Sequence, residues 1–148
     1  MTGMMLFSGF LAGLIAGVCM VIISEAGYRT GILKSNLIII DGMYASRLFH
    51  NKPPVLLNYL SGILIHLIMS MVFGLVYALS ALIIGFQAVT VPPVVIYTLL
   101  LWLAMLFIAL PIAGWGLLGK KIHRYVWLEQ LLLHIVFGIV FYEVLIML

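Results

Sequence analysis

The chain has 148 residues, of which 66% are hydrophobic and 7% charged, with a formal net charge of +3 and a mean hydropathy of +1.35. A soluble domain carries about 25% charged residues, so this composition excludes a water-soluble globule and makes lipid the solvent that suits most of the surface. Seven Lys and Arg residues are too few for nucleic-acid recognition, and a single cysteine, Cys19, excludes an intrachain disulfide.

The first apolar run, about residues 4–24, contains no charged residue. A hydrocarbon core of roughly 30 Å is crossed by about 20 residues of helix, so this run is a span. No basic residue precedes it and the first arginine, Arg29, follows it; the segment therefore reads as a retained helix and not as a secretory signal. Gly9, Gly13 and Gly17 recur at four-residue spacing beside Ala12 and Ala16. They form a flat face for close approach of another helix. Cys19 reads as a small buried thiol, and Glu25 stands one turn before Arg29, the spacing of a helical ion pair.

The loop that follows, about residues 26–54, holds Arg29, Lys34, Arg47, His50 and Lys52. Part of it mixes Leu37, Ile38, Ile39, Ile40, Met43, Leu48 and Phe49 with Asp41 and Arg47. Ser35 or Asn36 suits a helix N-cap there. This predicts a segment lying at the membrane interface or offering a docking surface. Pro53-Pro54 ends it and starts the second span, about residues 55–86, which is uncharged and carries His66.

The third span runs from about residue 92 to 119. Pro111 predicts a kink, and the Ala113-Gly114-Trp115-Gly116 stretch predicts an early end to the helix. The fourth span, about residues 125–148, has Glu129 near its start and Glu143 near its end. Glu129 is expected to pair at the surface with the neighbouring basic loop. Trp115 and Trp127 fit an interfacial belt. Because lipid cannot satisfy a bare backbone, the spans must be helices. The expected fold is all-α, an integral membrane four-helix bundle forming a single domain over residues 1–148.

Arg29, Lys34, Arg47 and Lys52 fall between spans one and two, and Lys120, Lys121 and Arg124 between spans three and four. The turn between spans two and three carries no charge. The positive-inside rule then predicts an N-out/C-out, multi-pass protein of the cell (inner or plasma) membrane, with the first loop and its interfacial segment cytoplasmic.

Polar side chains within spans are costly and face the bundle interior. On span two Gly62, His66, Ser70 and Gly74 share a stripe, with Tyr77 beyond it; on span four Gln130, His134, Gly138 and Tyr142 share another. Both histidines lie about ten residues, or roughly 15 Å, into their helices. They are expected at similar depth; if the halves are two helix pairs related by an axis along the membrane normal, the two stripes would meet near that axis. Three readings follow. His66 and His134 are axial ligands of a b-type haem, with Ser70 and Gly138 making room for the macrocycle. Alternatively, they are packing residues bonded to neighbouring polar side chains. Or they belong to a proton or ion path with Glu129 and Glu143. A metal is expected at His66 and His134 only if haem is bound.

The Gly9-Phe10-Leu11-Ala12-Gly13 stripe, the run from Gly62 through His66 and Phe73-Gly74 to Tyr77, the run from Leu110-Pro111 to Gly119, and the series His134, Gly138, Tyr142 together resemble small four-helix membrane proteins of the YagU-like kind. The resemblance touches most of the chain and implies four spans, with no particular activity.

There is no nucleotide loop, zinc-spacing cluster, Gly-x-Ser-x-Gly or carboxylate pair in the sequence, so no enzyme is expected. The leading expectation is a non-catalytic subunit or scaffold held in the lipid bilayer by its helices, packed with a partner membrane protein or with copies of itself. The first alternative is a haem-b electron-transfer subunit using His66 and His134, and the second a small transporter or proton path.

Overall fold

A computed structural model describes residues 2–50 and 53–148 of the chain. Lys52, counted above with the first basic loop, lies outside the described residues, as does Met1. Five helices account for most of the rest: α1 (Thr2–Arg29), α2 (Leu37–Leu48), α3 (Val55–Ile84), α4 (Val91–Ile112) and α5 (Val126–Met147). No strand occurs among the described residues. All but α2 are long and apolar enough to cross a membrane, so the architecture is that of a multi-pass membrane protein.

Local chemistry sets the helix ends. α3 stops at Gly85, whose φ of 82° puts it in the left-handed region and whose N–H bonds the Ala81 carbonyl. It is therefore slightly shorter than the apolar run that encodes it. α4 opens with Pro92 and Pro93 in its first turn, where no N–H is needed. Pro111 lacks an N–H and would break the ladder near the other end. The helix answers by widening into a π turn over Met105–Ala109, immediately before the proline. It then ends at Ile112, not near 119: Gly114 and Gly116 adopt positive φ, and the Trp115 N–H folds back onto the Leu110 carbonyl. The third span is thus shorter than the hydrophobic run suggests.

The helices pack in the order α3, α1, α5, α4, while α2 lies on α3 and touches the last turn of α4. The glycine face of α1 meets α3 backbone to backbone. A Cβ at Gly13 would strike the Ser70 carbonyl, and one at Gly74 the Gly9 carbonyl. By contrast, α3 and α4 have no extensive packing between them. They touch mainly at their connected ends, where the Tyr97 hydroxyl donates to the Phe73 carbonyl at 2.7 Å and the Tyr77 and Tyr97 rings stand 5.1 Å apart. The result is a bundle with three sealed seams and one partly open.

The described basic residues gather at one end. Arg29 closes α1 and pairs with Glu25. Arg47 lays its guanidinium over Gly114 in the α4–α5 connection, where Lys121 is held by a bond from its N–H to the Trp115 carbonyl.

Candidate functional site

The site begins with the placement of α2. Its N-terminus is buried, so its free N–H groups need partners inside the protein. Asn36 supplies the N-cap, accepting from the Ile39 N–H at 3.2 Å while its amide donates to Glu25 at 2.7 Å. The Leu37 N–H donates to Ser24 Oγ on α1 at 3.0 Å. Glu129, in the first turn of α5, accepts from the Lys34 N–H at 3.0 Å, the Ser35 N–H at 2.9 Å and the Ser35 hydroxyl at 2.6 Å. This corrects the reading of Glu129 as a surface ion-pair residue. It is buried, and it clasps the loop before α2, where its negative charge also suits the helix N-terminus. The clasp ties α2 to α1 and α5 together.

So held, α2 folds back along the first half of α3. Gly42 meets the Asn58 carbonyl and Gly62 the Ile38 carbonyl, the close approach that two glycines allow. Leu37, Ile38 and Ile40 are buried against the bundle. The sequence placed a helix here with Ser35 or Asn36 as its cap, and Asn36 fills that position. The apolar face, however, is turned inward onto other helices.

The fold-back carries Asp41 to His66, with 2.9 Å between Oδ2 and Nδ1. The Nε2 of His66 stands 3.5 Å from Ser70 Oγ, at the outer limit of a hydrogen bond. His134 is anchored differently: its Nδ1 donates to the Gln130 carbonyl, one turn earlier on α5, at 2.7 Å. Both side chains are buried. Asp41, His66, Ser70 and His134 line one cavity of about 280 Å³, together with Tyr44 and apolar side chains from all five helices. The cavity lies beside the open α3–α4 seam. Met69, 37% exposed, and Ile108, 57% exposed, form its rim on the lipid-facing surface.

The structure therefore brings together three of the four residues singled out from sequence. Gly138 is elsewhere, seated against Thr98 at the α4–α5 crossing. Of the two stripes, His66, Ser70 and His134 share the cavity, and beyond it Tyr77 on α3 meets Phe141 on α5 with ring centroids 5.2 Å apart. Glu143 does not line it either. Sequence reasoning missed Asp41 and Tyr44 as site residues. The signal was present in Asp41 itself, a lone acid inside an apolar amphipathic stretch.

Asp41, Tyr44, His66, Ser70 and His134 are the polar side chains that line the cavity. Among the described residues, no group of three or more His, Cys, Asp and Glu side chains converges as a metal site. A haem fits the arrangement poorly. The cavity is near the lower end of small-molecule pockets, about 300 Å³, and smaller than the macrocycle. His66 Nε2 also faces Gly17 and Ser70 on the tight α1–α3 seam, where no plane could be inserted. Comparison with protein-family models, with curated proteins and with solved structures finds no match.

Proposed function

We propose that this chain is a non-catalytic integral membrane subunit whose working part is the cavity beside α3 and α4, where it holds a small lipid-soluble molecule. The observation that carries the reading is the cavity's construction. Its walls are apolar, a few polar side chains converge from different helices, and its rim lies on the lipid-facing side, the usual pattern of a small-molecule site. Buried ionisable groups in a membrane span are expensive and tend to be functional, which supports giving Asp41, His66 and His134 the central part. The clustering of basic residues at one end supports the cell membrane, that end in the cytoplasm, and N-out/C-out topology.

Native mass spectrometry of gently extracted protein tests this. A bound small molecule is expected on the wild type and lost from Ala104→Phe, which fills the cavity from the α4 wall. Bare protein in both samples overturns the reading, and so does a mass increment that Ala104→Phe leaves unchanged. The same spectra report on partners: copies of the chain or other subunits riding with it would extend the reading to a larger assembly.

The haem alternative is favoured by one observation, the two imidazoles with Nδ1 anchored to a carboxylate and a carbonyl, as metal-binding histidines usually are. An absorption spectrum of haem-replete protein decides it, because absence of a Soret band removes that alternative.

A further inference from the structure

We propose that the ligand of this cavity is a lipid-tailed quinol, an aromatic ring bearing two hydroxyls; the proposal rests on the reading of the cavity as a small-molecule site. It follows from where the hydrogens are. A carbonyl oxygen only accepts, so the 2.7 Å contact between His134 Nδ1 and the Gln130 carbonyl places the ring hydrogen of neutral His134 on Nδ1. Its Nε2 is then a bare acceptor. His66 is already engaged at both ring nitrogens, with Nδ1 2.9 Å from Asp41 Oδ2 and Nε2 3.5 Å from Ser70 Oγ. Asp41 has a further oxygen, Oδ1, that makes no hydrogen bond among the described residues.

The cavity therefore offers two open acceptors, Asp41 Oδ1 from α2 and His134 Nε2 from α5, beside the Tyr44 and Ser70 hydroxyls in a largely apolar wall. A ligand that only accepts, such as an ester or a quinone, can be met by the Tyr44 or Ser70 hydroxyl but leaves Asp41 Oδ1 and His134 Nε2 unpaired, which is costly. A ligand with two hydroxyls satisfies both. Phe73 and Phe137 line the same space and suit an aromatic ring. About 280 Å³ holds a single substituted ring, and the rim at Met69 and Ile108 lets a hydrocarbon tail pass between α3 and α4 into lipid. The proposal is one of binding, with no electron-transfer step.

The experiment compares three probes on the full chain in detergent, by native mass spectrometry and thermal shift: an alkyl hydroquinone kept reduced, its quinone, and its dimethyl ether, which keeps the ring and loses both donors. The hydroquinone is expected to bind about tenfold or more tighter than the quinone, the worth of one good hydrogen bond, and the ether not to compete. His134→Phe should abolish the preference. Asp41→Asn, which turns an acceptor-only group into one that also donates, should narrow it, and serves where His134→Phe does not fold. Equal binding of quinone or ether overturns the quinol assignment and leaves the cavity reading standing. So does failure of all three probes while Ala104→Phe still removes a co-purifying molecule. If no probe binds and nothing co-purifies, both fall.

Discussion

Helix α3 has two faces that behave in opposite ways. Toward α1 it presents Ser70 and Gly74, and toward α4 it presents Ile65, Met69 and Phe73. The first face lets backbones touch, because Gly9, Gly13 and Gly17 stand opposite. The second holds α4 away, because Leu101 and Ile108 stand on the other wall. In lipid no hydrophobic force drives helices together, so close dispersion contact decides which seams seal. The hydrogen bond from the Tyr97 hydroxyl to the Phe73 carbonyl and the Tyr77–Tyr97 ring contact fasten the α3–α4 seam at one end, and α2 bounds it at the other. The cavity is what remains between. A small-residue stripe thus builds the scaffold, and the bulky face opposite leaves the space in which recognition can happen.

Enlarging one residue on each face separates these roles most sharply. Gly74→Leu would drive a side chain into the Gly9 carbonyl and the Gly13 backbone. It is expected to cost about 3 kcal/mol or more, the upper end of overpacking, and to lower the thermal midpoint in detergent steeply. Ala104→Leu, on the cavity wall, should change stability by less than about 1 kcal/mol. Equal losses in the two variants would mean that the faces do not differ as described.

Next in size is Glu129→Ala. It strips the Lys34 and Ser35 N–H groups of their acceptor and should cost about 1–3 kcal/mol for the donors left unpaired. Amide exchange should quicken over residues 34–41 and stay slow through α1 and the middle of α3. Faster exchange everywhere would show that the clasp supports the whole bundle and not the cavity wall alone. Asp41→Asn should be milder, about 1 kcal/mol, since an amide oxygen still accepts from His66; thermal midpoints of both variants, measured together, test that ranking.

What the sequence disclosed follows the same division. The spans, the Gly9–Gly13–Gly17 face and a helix cap at Ser35 or Asn36 were legible because each depends on residues close together along the chain. The inward stripe of His66 and Ser70 was legible from helical period alone. Asp41 was not, because its partner is 25 residues away and the pairing exists only once α2 folds back. Glu129 was misread for the same reason. Its neighbours in sequence are basic, but the groups it meets are amides of a loop more than 90 residues earlier. Gly138 looked like room for a cofactor, yet a glycine signals only that something approaches closely, and here it is Thr98.

The smallest expected effect tests whether size, and not polarity, governs the sealed seams. Thr98 Oγ1 is buried against Gly138 without a hydrogen-bond partner among the described residues. If the α4–α5 crossing is held by shape, Thr98→Val keeps the branched outline and removes only an unpaired hydroxyl. Stability should then stay within about 0.5 kcal/mol of wild type or rise slightly, since replacing an unsatisfied polar group by an apolar one of similar shape is nearly neutral or better. Gly138→Ala at the same crossing adds a single methyl against Thr98 and should cost more, about 1 kcal/mol. Thermal unfolding of the two variants side by side reads the difference. A larger loss from Thr98→Val than from Gly138→Ala would mean that the hydroxyl contributes a bond across the seam, and that polar pairing as well as shape holds the scaffold half of the molecule.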